Sequence, residues 1–245
     1  MAKTYPLPKS GTATAVTKAA NESVARALPL SDQQDFEKAR RGFIASIDGP
    51  IKTHDGRVAW DTDAFAFLKE PAPDTANPSL WRQAQLNANH GLFEVADRIY
   101  QVRGYDMALM TLVRGDTGWI IIDCLICIET AQAALKLAND NLGERPVSAV
   151  LITHTHADHF GGSRGVLTDE LLAKGDIPII VPEGFTKYAV NEAVLAGNQM
   201  ARRAMYQFGL IVPPGPAGYL DAGIGKGNVV RRLFTTLSDS DKHCG

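Results

Sequence analysis

The segment LITHTHADHFGG, Leu151–Gly162, gathers residue types that bind cations at spacings that suit them, and it holds three of the six histidines in the chain. His154 and His156 alternate along an extended stretch, so their side chains leave the same side and can grip one ion together. Asp158 and His159 follow where the chain turns toward a helix. As neighbours there they point differently, which suits a second ion close by. Gly161 and Gly162 are expected to let the backbone turn tightly and to leave room beside the ions. Imidazole and carboxylate together fit zinc, with iron or manganese left open. Two such cations around one water bring its pKa toward neutrality. The expected chemistry is attack of that hydroxide on a polarised ester, with Asp158 as the candidate catalytic residue that orients it. A bare HxH is a weak signal, equally at home on a surface loop. HxHxDH after an apolar strand and before a glycine pair is a strong one.

A site of this kind needs elements that hold it, and the flanking sequence supplies them. RPVSAVLIT reads as a buried strand that delivers the cluster at its C-terminal end, where α/β proteins tend to place chemistry. Upstream, GLFEVADRIYQVRG alternates apolar and polar residues as one half-buried strand does. MALMTLVRGDTGWIIID reads as two strands joined at Gly115-Asp116, the second closing on Asp123. IETAQAALKLANDNLG is an amphipathic helix with Gly143 as its stop. IPIIVPEG and FTKYAVNEAVLAG add a strand and a helix. The order strand, helix, strand, metal-type loop, helix, strand, helix is α/β organisation.

Residues 1 to 90 read differently, as a helical and irregular arm that packs on the catalytic domain. LSDQQDFEKARRGFIA is expected to be a helix capped by Ser31 or Asp32, with Phe36, Ala39 and Phe43 near one face. A short helix is expected near Pro78 with Asn77 as its cap. Beyond Pro213, PPGPAGYLDAGIGKGNVV reads as a Gly/Pro-rich connection.

With 245 residues, 45% hydrophobic, 21% charged and a net charge of −2, the composition is that of an ordinary globular protein. It offers no basic surface for nucleic acid. No run is apolar enough to span a bilayer, and no secretory signal is seen, which gives a cytoplasmic expectation. Cys124 and Cys127 form a lone CxxC with apolar residues between them, expected to be structural rather than redox-active or zinc-binding.

HTHADH resembles the HxHxDH signature of the metallo-β-lactamase superfamily, and Asp123 matches that superfamily's strand-end aspartate. Two longer stretches, NPSLWRQAQLNANHGLFEVADRIYQVRGYDMALMTLVRGDTGWIIID and RPVSAVLITHTHADHFGGSRGVL, resemble the linear primary-alkylsulfatases, which hydrolyse dodecyl sulfate. The likeness runs from about Phe36 to Gly225 and includes the arm. It implies an αββα sandwich, largely its first half, over residues 91–230. It further implies two zinc ions, with His154 and His156 on one and Asp158 and His159 on the other, and an alkyl sulfate as substrate. Asp123 would orient the metal loop by hydrogen bonding, a simple strand-end cap being the other reading.

The family completes its site with two carboxylates and a further histidine placed later in the chain, and its homodimerisation segment also lies there. The pattern is expected to dissolve after GIGKG, leaving residues 231–245 as an aberrant or disordered tail of a truncated product. His243 and Glu183 are the residues that could stand in for missing ligands, His90 could line the substrate entrance, and His54 lies in THDGR. The expectations for them are a disordered residue, a helix-start carboxylate, a structural histidine and a turn residue. The alternatives to an alkylsulfatase are another hydrolase of the superfamily, for thioesters, lactams or lactones, or an inactive fragment keeping half of the metal site.

Overall fold

The structure, a computed structural model, describes residues 11–227. The tail expected over 231–245, and His243 with it, lie outside the described residues. The arm opens with α1 (Ala15–Ala27), whose start is capped by the Thr14 hydroxyl accepting from the Thr17 amide. α2 (Gln34–Arg40) follows, and the Asp32 carboxylate accepts from the Gln34 amide at its entry. Phe43 does not extend that helix. It begins β1 (Phe43–Ala45), because the helix ends at Arg40, Arg41 is already extended, and Gly42 turns the chain in a left-handed conformation into pairing with the main sheet. β2 (Ile51–Lys52) and β3 (Val58–Trp60) form a small hairpin, followed by a 3-10 helix over Asp63–Lys69. α3 (Pro78–Leu86) starts where Asn77 Oδ1 accepts from the Ser79 and Leu80 amides.

The main sheet adds β4 (Gly91–Ala96), β5 (Ile99–Arg103), β6 (Met110–Arg114) and β7 (Trp119–Ile122). GLFEVADRIYQVRG is therefore two strands. The backbone reverses at Asp97-Arg98, with Arg98 left-handed, and Glu94 faces Tyr100 across the hairpin. After β7 come α4 (Ile128–Leu142), β8 (Val147–Leu151), the short helices α5 (Ala157–Phe160), α6 (Ser163–Val166) and α7 (Asp169–Lys174), and β9 (Ile179–Ile180). α8 (Phe185–Asn191), a π turn over Glu192–Ala196 and α9 (Gly197–Gln207) come last. The seven strands run in the order β1-β4-β5-β6-β7-β8-β9. Pairing is antiparallel from β1 to β7 and parallel from β7 to β9. This is the mixed α/β organisation that the element order predicts.

Period-two alternation sorts the sheet into two faces. One face lines up Leu92, Val102 and Met110 in one row and Tyr100, Leu112, Ile121 and Val150 in the next, all buried. α4 covers it with Ala131, Ala134 and Ala138, which are small enough to bring the helix close. Ile51, Ala59 and Trp60 of the small hairpin join this core, so the arm contributes a strand and a core wedge to the sheet. The other face carries Gln101, Thr111, Ile120, Val113 and Ile122, all half-buried. Gln101 and Arg103 are hydrogen-bonded there, so the face is mixed in character instead of wholly apolar.

A second core joins Phe65, Leu68, Trp81 and Ala84 of the arm to Tyr219 and Leu220. The Gly/Pro-rich stretch is thus more than a connection, since it returns and packs on the arm. The Lys226 ammonium, 3% exposed, locks it by donating to Asp221 Oδ2 at 2.7 Å and to the Ala84 carbonyl at 2.8 Å. Asp221 Oδ1 in turn accepts from Asn87 and from the Gly223 amide. A buried pair survives only when its remaining hydrogen-bonding groups are satisfied, as these are.

The glycine pair after the histidines has a different task from the one its composition suggests. Gly161 is an ordinary right-handed residue. What it and Gly162 supply is the absence of a side chain against neighbouring backbone. A Cβ on Gly162 would sit 2.1 Å from the Cys124 carbonyl oxygen, and one on Gly161 would sit 2.4 Å from that of Ile126. Gly162→Ala is expected to destabilise the chain by about 1–3 kcal/mol, the usual cost of overpacking. Gly215→Ala, with open space at its Cβ, should stay within about 0.5 kcal/mol. Urea denaturation of both variants checks this, and equal midpoints would count against the close-approach reading.

Candidate metal centre

Because β7 and β8 are parallel neighbours, their C-terminal ends lie side by side, with Ile122 paired to Leu151. Asp123 leaves β7 and Thr153 leaves β8 at that edge. The Asp123 amide donates to the Leu151 carbonyl at 2.9 Å, and the backbone then turns left-handed, φ 58°. Aspartate tolerates that conformation better than most residues. The turn aims its carboxylate back across the sheet end. Oδ1 accepts from the Thr153 amide at 2.8 Å, and Oδ2 accepts from the Thr153 hydroxyl at 2.7 Å and meets His159 Nδ1 at 2.7 Å.

This arrangement fixes proton positions. An ionised carboxylate is acceptor-only, so His159 carries its proton on Nδ1 and leaves Nε2 as a lone-pair donor. The Thr153 hydroxyl spends its single proton on Asp123, so its oxygen accepts from His154 Nδ1, 2.9 Å away. His154 therefore also presents Nε2. One carboxylate sets two imidazole tautomers, the second through a threonine.

The three rings sit together, His154 to His156 at 4.7 Å and His154 to His159 at 4.0 Å between centroids. Asp158 Oδ2 lies 3.4 Å from His159 Nε2. So the structure brings His154, His156, Asp158 and His159 to one loop at the end of β8. Among the described residues, no three His, Cys, Asp or Glu side chains converge tightly enough to form a metal-binding group. The donors nevertheless fit zinc in kind, and His154 and His159 are each hydrogen-bonded at Nδ1, which leaves Nε2 to face a cation.

Three contributors carry no motif in the sequence. Thr153 is the relay just described. Glu192 reaches the loop from the π turn, with Oε1 3.4 Å from His156 Nε2 and Oε2 accepting from the Thr155 hydroxyl at 3.3 Å. Its only sequence trace is a carboxylate inside a helical stretch, which by itself reads as a solvated face. Asp106, 3% exposed, accepts from the Ala108 amide at 2.7 Å and from the Ile126 amide at 2.8 Å. It lies in GYDMA, where nothing signals burial.

Asp106 anchors the loop that seats the histidines. That loop, 123–127, contains a second left-handed residue, Leu125 at φ 60°, an unfavourable conformation for a branched side chain. Asp106 holds it from one side. From the other, the Cys124 amide donates to the His159 carbonyl at 2.7 Å and the Leu125 carbonyl accepts from Gly162. Burial pushes the Cys124 thiol up to about 12, and raises Cys127 as well, so neither is a thiolate at neutral pH. Both are free cysteines that pack inside this loop.

A cleft of about 630 Å³ opens beside the loop, lined by His154, Thr155, Glu183, Phe185, Tyr188 and Glu192. Glu183 thus precedes a helix and also borders this cleft. His90 lies elsewhere, bonded through Nδ1 to the Ser46 hydroxyl at 2.7 Å, beside a cavity of about 410 Å³ between arm and sheet. Burial lowers its pKa. His54 is exposed in the turn of the small hairpin. No helix among the described residues is long and apolar enough to cross a membrane.

Residues 103–237 match the family described as the metallo-beta-lactamase superfamily, a match that covers the whole of this centre. The chain belongs to the metallo-beta-lactamase superfamily. Within the superfamily it is similar to an (R)-specific secondary-alkylsulfatase of Pseudomonas sp., 47% identical over 92% of this chain and 34% of the relative. A linear primary-alkylsulfatase of Pseudomonas sp. is 49% identical over 87% of this chain and 32% of its own length. The solved structure of a stereoselective inverting sec-alkylsulfatase from Pseudomonas sp. superposes with a TM-score of 0.84 at 46% identity, covering 91% of this chain and 35% of that one. The chain therefore spans about a third of the length of the curated relatives it matches.

The Asp106 anchor has a measurable signature. Burial raises its carboxyl from an ordinary 3.8 to about 7, against the pull of its two backbone donors. The folded chain then binds a proton more tightly than the unfolded one, so this stabilisation is complete below about pH 4 and fades as pH rises through about 7. Between about pH 5 and about pH 8 the parent should lose more stability than Asp106→Asn, which has nothing to titrate there. Parallel pH-dependent melts would contradict the assignment.

Proposed function

We propose that this chain carries the histidine-rich part of a zinc centre that hydrolyses alkyl sulfate esters. The observation that carries the reading is the Asp123–Thr153–His154 and Asp123–His159 hydrogen-bond system at the ends of two parallel strands. It prepares two imidazole nitrogens for a cation before any cation arrives. The relatives named as alkylsulfatases, at 47% and 49% identity, support the substrate class. One acts on secondary and one on primary esters by name, so both kinds of ester belong to the proposal.

His154, His156, Asp158 and His159 would hold the metal, arranged as the two pairs that the motif implies. Zinc bound there would supply a Lewis acid and make water nucleophilic near neutral pH. The chain's own residues do the rest. Asp123 keeps His154 and His159 in the metal-binding tautomer. Asp158 lies beside His159 with an oxygen free to orient a water and accept its proton. The half-apolar cleft beside the loop, with Phe185 and Tyr188 on its wall, can take the first carbons of an alkyl chain. Two ions need more than these four donors to be held firmly. Activity in this chain therefore depends on what completes the coordination.

The test is release of inorganic sulfate from dodecyl sulfate and from a secondary alkyl sulfate, with zinc added to the metal-stripped chain. Turnover that a chelator abolishes supports the reading. Bound zinc without turnover of either ester, but with turnover of a thioester or lactam, would move the substrate class elsewhere in the superfamily. Asp123→Asn is expected to lower zinc affinity and any turnover by about 10–100-fold, because an amide nitrogen facing His159 Nδ1 favours the wrong tautomer. Retained affinity in that variant would show that Asp123 does not orient the histidines.

A further inference from the structure

Three side chains form a hydrogen-bonded line where the arm meets the sheet, away from the metal loop. The Tyr105 hydroxyl, on a residue 1% exposed, accepts from the Ile47 amide at 3.1 Å and meets Ser46 Oγ at 3.4 Å. Ser46 Oγ in turn meets His90 Nδ1 at 2.7 Å. Burial raises the Tyr105 pKa, so the phenol keeps its proton. That proton needs an acceptor, and Ser46 Oγ is the one beside it. Ser46 then donates its own single proton to His90 Nδ1, which places the His90 proton on Nε2. Run the other way, the line would leave the buried Tyr105 proton without an acceptor. Burial lowers the His90 pKa, with the Lys69 charge adding to this and Asp63 opposing it, so the ring is neutral at neutral pH.

Among the described residues, Nδ1 is the only nitrogen of His90 with a hydrogen bond. The ring lines the cavity of about 410 Å³ between arm and sheet. That volume is in the usual range for small-molecule pockets, roughly 300–1,000 Å³, and such pockets favour the junctions between structural units. Phe36, Trp60 and Phe65 give the cavity an apolar wall. Its charge is unbalanced. Lys226 is spent on Asp221, and Arg40 and Lys69 have no ion-pair partner among the described residues. Asp63 is the single carboxylate of the lining. A fixed N–H donor, two open cations and an aromatic wall together describe the recognition of an acid group on an apolar body. We propose that this cavity binds a small organic anion, a carboxylate or sulfonate on a compact apolar body, through the His90 Nε2–H and the Lys69 ammonium. The site is separate from the metal centre, since the cavity shares no lining residue with the cleft beside the metal loop.

The probe is benzenesulfonate, added to the metal-free full chain at neutral pH and followed by the nitrogen-15 spectrum of the imidazoles. The expected result is a His90 ring protonated on Nε2 that shifts saturably with the probe, while His154 and His159 stay in place. A His90 ring protonated on Nδ1, or one that does not respond, overturns the proposal. So does a response confined to His154 and His159, which would put the ligand in the metal cleft. Benzyl alcohol and inorganic sulfate, each carrying half of the recognised chemistry, should bind more weakly than the sulfonate. Equal binding of either one overturns the ligand class.

Calorimetric titration of exposed-site variants supplies the second readout. Lys69→Glu is expected to weaken benzenesulfonate by about tenfold, as a charge-assisted contact is replaced by repulsion. Lys174→Glu, the same reversal on an exposed lysine outside the cavity, should leave the affinity unchanged. Equal weakening by both would make the attraction one of general charge and overturn the site. His90→Phe, which keeps an apolar ring and removes the donor, is expected to cost about tenfold as well. Unchanged affinity in that variant, with an unchanged melting curve, removes His90 from the site and overturns the proposal.

Discussion

The centre depends on one carboxylate receiving three donors at the open end of a parallel strand pair. Asp123 can do this because β7 and β8 run in the same direction and end in register. A residue leaving one strand then lies within reach of the first residues leaving the other. An antiparallel pair would put those two ends at opposite edges of the sheet. The parallel connection requires α4 as its crossover, and α4 can lie close only because it meets the sheet with alanines. The helix, the change from antiparallel to parallel pairing and the histidine protonation states are thus links in one chain of cause.

The loop between Asp123 and Cys127 takes up the strain this arrangement creates. Two non-glycine residues in left-handed conformation within three positions would unwind if left to themselves. They are held by amides and carbonyls spent on them from both sides, by Asp106 below and by the α5–α6 backbone above. The glycines of the motif belong to this clamp. They let the helix backbone approach the loop to a distance that no side chain permits.

Much of this was legible in the sequence, for reasons that can be named. Strand and helix types followed from periodicity, and Asn77 before Pro78 marked its helix start correctly. Period-two patterning could not show the reversal at Asp97-Arg98, because apolar and polar residues keep alternating through the turn. Phe43 sits at helical spacing from Phe36, yet Gly42 hands it to a strand. The histidines stood out because their spacing is rare by chance. Thr153, Glu192 and Asp106 did not, because each meets a partner distant in the chain: Asp123, His156 and the Ile126 amide respectively. No local pattern encodes such partners. The Gly/Pro-rich stretch near Tyr219 misled for the same reason, since its partners lie in the arm.

That last contact also bears on how the chain comes together in time. Lys226 closes on the Ala84 carbonyl across 142 positions of sequence. Contacts of such separation form late, because a long loop must be ordered before they reward it. During synthesis the arm emerges before its cover, and its apolar cluster stays unroofed until the segment around Tyr219 and Lys226 has left the ribosome. The arm is therefore made well ahead of the residues that finish it, and in that interval its apolar side chains need shielding.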